Sequence, residues 1–391
     1  MGCDSLETLK PEVVQSAVTR LLCDLIATPS VNPAFMPEAD PRAGEERMVE
    51  HVQNVSRAAG LDVTSETVTD RRSNVLVRLS PQGSIQHRIL LGPHLDTVGF
   101  PNLESQLVPR VQNGRILGRG ACDTKGCVAA MLSAVLRIAR SGKRPAHTEI
   151  QFVGFVDEEN EQLGSRHHAR NHDPVDLAIV GEPTRLEVVT AHKGDVWIRL
   201  RTTGRSAHGA TPHLGRNAVH RMGQVVDLLE TTYQRQLSKR KHPLLGCPTV
   251  NVGAIRGGTQ PNIVPDACTI DVDRRTLPGE TEATVRRELR ELLKRAGLQA
   301  TFEPLRLAAC EALETPPDLP WVRDLCRAAG RRRTVGVHFF CDAAPLAKAG
   351  TPAVVFGPGD IAQAHTAEEW ISIASLERGT DILERFLRSL P

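Results

Sequence analysis

Three consecutive carboxylates, Asp157-Glu158-Glu159, close the apolar run Val153-Gly154-Phe155-Val156, whose β-branched and aromatic residues read as a buried strand. Alone, such a charge run is usually a solvated loop. It gains chemical meaning from its company: His94-Leu95-Asp96 past another apolar run, Asp123 in the glycine-rich loop Gly118 to Gly126, then Glu182 and His365. The two imidazoles and three carboxylates of His94, Asp123, Glu159, Glu182 and His365 suit a pair of zinc-class ions bridged by one carboxylate. Ions paired in this way sit about 3.5–4 Å apart and bring a shared water toward neutral pKa. Glu158 is left without ligand duty; beside a ligand, it is placed to take the proton of that water and hand it to a leaving amine. Asp96 is placed to accept from the second ring nitrogen of His94 and so fix its tautomer.

These residues need elements that bring them together. Ala17, Val18, Leu21, Leu22 and Leu25, preceded by Val13 and Val14, repeat at helical spacing up to the proline-bounded segment Pro29 to Pro33, and Met48, Val49, Val52 and Val55 mark a second helix. Strands are expected at Asn74–Leu79, Arg88–Leu91, Val153–Val156 and Leu177–Val180, with a helix after the Asp123 loop carrying Val128, Met131, Leu132, Val135 and Leu136. Such interleaving predicts an α/β fold with a mostly parallel sheet and helices on both faces, its ligands gathering beyond the strand ends. From 188 to 303 the order changes to β-α-β-β-α-β, a ferredoxin-like layer. The expectation is an inserted domain at 188–303 that interrupts a catalytic domain made of 1–187 and 304–391. After it come a helix around Val322 and Leu325, the apolar strand Pro352–Phe356, the turn Gly357-Pro358-Gly359, His365 and a last amphipathic helix.

The bulk numbers restrict the rest. A length of 391 residues favours more than one core, and 48 basic against 46 acidic residues give no field for a nucleic acid. Nine cysteines without a Cys-x-x-Cys pair fit reduced thiols in a cytoplasmic protein. The start Met1-Gly2-Cys3-Asp4-Ser5-Leu6 resembles neither a signal peptide nor a myristoylation site, and no apolar run reaches the roughly 20 residues of a membrane span.

His94-Leu95-Asp96, Gly118-Arg119-Gly120 with Asp123-Thr124-Lys125-Gly126, Asp157-Glu158-Glu159, Gly181-Glu182-Pro183-Thr184 and Ala364-His365-Thr366 together resemble the motif set of the M20 metallopeptidases and deacylases. The resemblance spans essentially the whole chain and implies a zinc-peptidase-like fold with an inserted dimerisation (lid) domain. It further implies that Asp123 bridges two Zn2+ ions, or Co2+ or Mn2+, with His94 and Glu182 on one and Glu159 and His365 on the other. Glu158 would be the general acid/base. Glu at position 182 is similar to the acetylornithine deacetylase and succinyl-diaminopimelate desuccinylase side of the family. His208, in Gly204-Arg205-Ser206-Ala207-His208-Gly209, matches a histidine that reaches the substrate carbonyl across a homodimer. Asn262 and Arg275 match substrate contacts, Arg275 as the grip on a carboxylate with Arg274 as its competitor, and Gly357 and Gly359 would offer backbone amides to the same anion.

The expected activity is removal of the acyl group from an N-acyl amino acid. A dipeptidase or carboxypeptidase of the same family is the alternative within enzymes, and a non-catalytic binding protein that keeps the fold is the alternative outside them. The polar stretch Asn160-Glu161-Gln162-Leu163 and Cys341, where relatives often carry Thr, depart from the family pattern near the cleft. His167, His168, His172 and His213 match no motif and read as surface residues.

Overall fold

The structure, a computed structural model, describes residues 16–37, 40–99 and 103–391. Val13, Val14 and the Met1–Leu6 segment lie outside them. The large sheet takes the first six of its strands before the inserted segment: β1 (Asp62–Thr69), β2 (Arg72–Leu79), β3 (His87–Pro93), β4 (Thr148–Gly154), β5 (Leu177–Gly181) and β6 (Val189–His192). Then β7 (Gly194–Thr203), β8 (Thr249–Gly257), β9 (Ala267–Thr276) and β10 (Thr301–Pro304) form a separate sheet, and β11 (Leu313–Glu314), β12 (Val335–Val337) and β13 (Ala353–Val355) return to the first. The principal helices are α1 (Ala17–Ala27), α2 (Glu46–Ala58), α3 (Lys125–Ser141), α4 (Leu163–Asn171), α5 (Ala218–Asp227), α6 (Glu282–Arg295), α7 (Pro320–Ala329), α8 (Ala343–Lys348) and α9 (Ile373–Arg388).

The large sheet has nine strands in the order β1-β2-β4-β3-β5-β13-β6-β11, with β12 paired to β6. Its centre, β4-β3-β5-β13, is parallel throughout. Ile89-Leu90-Leu91 and Leu177-Ala178-Ile179-Val180 are apolar without alternation because both faces of these strands are covered. Ile89, Leu91, Leu177 and Ile179 pack with α1, α3 and α9, while Leu90, Ala178 and Val180 pack with Ala343 and Leu346 of α8 on the opposite face. The parallel centre therefore sends three neighbouring strand ends, those of β4, β3 and β5, to one edge of the sheet.

The smaller sheet runs β8-β9-β7-β10, all antiparallel, which is the ferredoxin-like order. Burial alternates along β9, the mark of a sheet covered on one face, and Ile198, Leu200, Ile270 and Val272 meet Met222, Val225, Leu289 and Leu293 of the two helices there. The chain changes sheets at Lys193, since β6 still pairs in the large sheet. Outgoing and returning segments are tied where the Asp195 amide donates to Cys310 O at 2.7 Å and the Cys310 amide donates back at 3.0 Å. A Cβ on Gly194 would lie 2.6 Å from the Cys310 carbonyl oxygen, so this crossing requires glycine.

Candidate metal centre

His94 follows β3, Glu158 and Glu159 follow β4, and Glu182 follows β5, so the parallel register sets them side by side; Pro93 pairs with Gly181 and His94 bridges to Phe155. Asp123 enters from the loop before α3, and His365 from the turn after β13. His94 Nε2 lies 3.1 Å from Asp123 Oδ1 and 3.8 Å from Glu182 Oε1. His365 Nε2 lies 3.4 Å from Asp123 Oδ2 and 3.1 Å from Glu159 Oε1. Each oxygen of Asp123 thus faces a different imidazole, the disposition of a carboxylate shared between two ions. Donor atoms of His94, Asp123 and Glu159 lie within 4.8 Å of one another, as do those of His94, Glu158 and Glu182.

The charges of this cluster do not balance. Asp123, Glu158 and Glu182 are buried, the Glu159 side chain nearly so, and the ion pairs of Asp123, Glu159 and Glu182 come from the imidazoles of His94 and His365. Burial, reinforced by neighbouring acids, pushes the carboxyls of Glu158 and Glu182 well above the usual range, and burial with the Asp123 charge lifts Glu159 to about 7. Hydrogen bonds to Asp123 and Glu159 hold the His365 imidazole at about 10. The carboxyl of Asp123 goes the other way: burial would raise it, but the two imidazoles hold it low. Four ionised carboxylates beside two neutral imidazoles would be neutralised by two divalent cations, and the nitrogen and oxygen donors present fit ions of the zinc class.

Behind the cluster a closed network aims it. Asp96 Oδ1 lies 3.4 Å from His94 Nδ1, and the Asp96 backbone oxygen is nearer at 3.0 Å. The Asp96 carboxylate also accepts the backbone N–H of Glu158 (3.1 Å) and of Glu159 (3.0 Å) and the side-chain amide of Asn32 (2.7 Å). It therefore orients three cluster residues at once. Asp157 sits at φ +69°, a left-handed turn that Asp tolerates better than most residues, and its carboxylate accepts from Asn32, from Arg72 and from the amides of Glu161 and Leu163. Arg72 also pairs with the fully buried Glu45. On the other side, Glu369 accepts from the amides of Gly120, Cys122 and Asp123, each at 2.8 Å, and pairs with buried Arg119 at 2.7 Å. A small sheet of Arg110–Gln112, Arg115–Leu117 and Trp370–Ser372 holds Glu369 beside that loop. Lys125 is structural, its Nζ donating to the carbonyls of Leu25 and Thr28 at the end of α1.

Asn32, Arg72, Glu45 and Glu369 escape the sequence reading because they act on backbone amides or on other side chains, and isolated polar residues carry no spacing signal. Asn32 stands between two prolines in Pro29-Ser30-Val31-Asn32-Pro33, which is the one local hint. Asp342 is also buried at the cluster; Ser165 Oγ donates to its Oδ1 at 2.5 Å, Oδ2 has no hydrogen-bond partner, and burial lifts its carboxyl to about 7.

The remaining residues singled out above fall in different places. Arg274 is fully buried on the helix side of the smaller sheet, bound to Tyr233 and both oxygens of Glu280. Arg275 projects from the other face, pairs with Asp273 at 3.1 Å and lies over the ring of Phe340 at 5.5 Å. His208 bridges to Ile263, and Gly209 donates to the Asn262 carbonyl at 2.7 Å, so His208 and Asn262 share one corner of the smaller sheet. The amide of Gly357 is donated to Thr184 Oγ1 at 3.1 Å, and that of Gly359 to Ser375 Oγ at 3.2 Å. Gly357 is also needed for packing: a Cβ there would lie 2.4 Å from Cys127 Sγ and 2.6 Å from the Glu182 carbonyl.

Residues 90–389 match Peptidase family M20/M25/M40. The chain belongs to this family. It is a hydrolase that acts on amide bonds, and M20 peptidases are metal-dependent. Acetylornithine deacetylase of Vibrio cholerae serotype O1 is 30% identical over 378 residues, covering 93% of this chain and 96% of that protein. Among solved structures, a tripeptidase of Staphylococcus aureus superposes with a TM-score of 0.76 at 20% identity, covering 95% and 97% of the two chains. A dinuclear metal-binding M20 peptidase of Bacillus subtilis gives 0.69 at 14% identity, covering 95% and 96%. Among the described residues no helix is long and apolar enough to cross a membrane.

Proposed function

We propose that this protein is a deacylase of N-acyl amino acids, with N-acetylornithine as its substrate, and that it works as a cytoplasmic homodimer holding two Zn2+ ions per subunit. The observation that carries the reading is the division of Asp123 between His94 and His365, set in a chain that is alike over nearly its whole length to an acetylornithine deacetylase. His94, Asp123 and Glu182 would hold one ion, and Asp123, Glu159 and His365 the other. When bound, such ions polarise a carbonyl and make water acidic enough to attack it near neutral pH.

The chain supplies the proton handling and the positioning. Glu158 is buried beside the ligands, and its raised carboxyl affinity for protons suits a group that takes one from water and returns it to the amine nitrogen as the C–N bond breaks. Asp96 holds the Glu158 amide, so that its side chain stays next to His94. Arg275, on the face of its sheet that carries Phe340, is the candidate for a substrate carboxylate, a task suited to a planar guanidinium. His208 is assigned to the substrate carbonyl, reaching the site of the neighbouring subunit, and Asn262 to substrate binding. The zinc-loaded protein should release amine from N-acetylornithine with a higher kcat/KM than from N-succinyl amino acids or dipeptides. A dipeptide turned over faster than every N-acyl amino acid would overturn the deacylase assignment in favour of a peptidase.

A further inference from the structure

On the far flank of β1 and α4, three imidazoles converge on one carboxylate. Glu66 Oε1 lies 3.0 Å from His172 Nε2 and 3.5 Å from His167 Nε2, and Glu66 Oε2 lies 3.3 Å from His168 Nδ1. His168 and His172 are four residues apart at the end of α4, so the helix repeat puts both on one face, with ring centroids 4.2 Å apart. Donor atoms of Glu66, His168 and His172 all fall within 4.8 Å of one another. None of them belongs to the cluster around Asp123.

We propose that Glu66, His168 and His172 form a second, peripheral site for a zinc-class divalent ion. Two imidazoles and a carboxylate are a borderline-soft donor set that selects Zn2+ over Ca2+ or Mg2+. With metal–ligand bonds of about 2.0–2.2 Å, donors at the corners of a tetrahedron stand roughly 3.3–3.5 Å apart. Glu66 stands 3.0 Å from His172 and 3.3 Å from His168, already close to that spacing. His168 is buried, which fixes its ring, while the side chains of His167 and His172 keep about a third of their surface open for an ion to enter.

The site is wired to the reaction centre by a single side chain. Asn74 Nδ2 donates to Glu66 Oε2 and to the Gly164 carbonyl, both at 3.0 Å, and Asn74 Oδ1 accepts the amide of Val156 at 3.2 Å. Val156 immediately precedes Asp157-Glu158-Glu159. An ion here clips the edge strand β1 to α4 and steadies both ends of the turn that carries Glu158 and Glu159.

Metal-stripped full-length protein and its His172→Ala and His168→Gln variants, dialysed against the same excess of Zn2+ and desalted, are compared by elemental analysis and by thermal melting. The wild type should retain one equivalent of zinc more than either variant and gain more in Tm on loading. His172→Ala changes a partly exposed side chain, so that variant keeps the comparison valid if the substitution at buried His168 impairs folding. Equal zinc content in wild type and His172→Ala would overturn the proposal and leave the imidazoles as hydrogen-bond partners of Glu66. Because the difference between proteins is read, the result stands whether or not the Asp123 cluster binds metal.

Discussion

Two groups of buried acids lie a few residues apart in this molecule, and they are treated oppositely. Asp157, Glu45 and Glu369 are closed by the guanidinium groups of Arg72 and Arg119 and by backbone amides. Asp123, Glu159 and Glu182 face imidazoles alone, and Glu158 stands beside them with its carboxyl affinity for protons raised by burial. Arginine never gives up its proton and occupies carboxylate lone pairs for good, whereas a neutral imidazole is itself a ligand. The inner group is therefore scaffold, and the outer group is left with lone pairs to spend on cations. Replacing an outer acid should remove chemistry with little loss of structure, and replacing an inner one should cost structure first and metal binding only through it.

The sharpest break of that contrast is Glu158→Gln. The amide keeps size and hydrogen bonding but cannot carry the proton, so kcat should fall by roughly 10²–10⁴-fold or more while zinc content and Tm stay at wild-type values. Retained turnover in a zinc-replete Glu158→Gln protein would remove Glu158 from the proposed mechanism. Glu369→Ala tests the other side. It leaves Arg119 buried without its carboxylate and frees three amides of the Asp123 loop, and breaking a buried pair costs about 3–5 kcal/mol. The denaturation midpoint should drop by a corresponding amount, and zinc content should drop with it because Asp123 loses its support. An unchanged midpoint would show that Glu369 is not the scaffold of that loop.

The same contrast explains what the sequence made legible. Glu158, Glu159 and Glu182 were visible because they follow apolar runs, where unpaired charge is conspicuous, and because the runs imply parallel strands ending on one edge; Asp123, in a glycine-rich loop, was visible only through that company. The inner residues were not: Asp157 offers only its place in a charge run, while its function depends on a left-handed turn and on Asn32, which is 125 residues away. The α/β core and the β-α-β-β-α-β order were readable from periodicity, but β1 was not, because Asp62–Thr69 is an edge strand with no buried position between its intermediate and exposed ones. His167, His168 and His172 looked like surface residues since nothing local announces that Glu66, about a hundred positions earlier, points at them.

The two arginines of the smaller sheet repeat the contrast between a closed and an open partner at lower energy. Arg274→Lys should lower stability with KM unchanged, because a point charge cannot serve Tyr233 and both oxygens of Glu280 together. Arg275→Lys should raise KM about tenfold at nearly constant kcat, about 1.4 kcal/mol of binding shared by ground and transition states. Equal KM values in Arg275→Lys and the wild type would take Arg275 out of substrate recognition.

The smallest effect is a slope with pH, and it reports on the outer group directly. In metal-stripped protein Glu159 keeps its proton to about 7, Glu158 and Glu182 keep theirs well above the usual carboxylate range, and His365 holds its own to about 10, all above their ordinary values. Between pH 5 and 8 the folded chain therefore binds more protons at these groups than the unfolded one, and stability falls as pH rises. Asp195, Glu45 and Asp342, each lifted to about 7 with burial as the leading cause, act in the same direction. His192, pushed down to about 4 by burial, His51, His168 and His338, also pushed down by burial, and Lys125, lowered to about 7 by burial, oppose them but are outnumbered. Asp123 and Asp96, held low, have made their contribution before this window opens. The stripped protein should thus melt several degrees higher at pH 6 than at pH 8, by roughly the few degrees that 1–2 kcal/mol produces in a chain of this size. Loading with zinc should flatten that slope, since ligating carboxylates stay ionised across the window. Identical slopes with and without metal would mean that the outer acids are not where the ions sit.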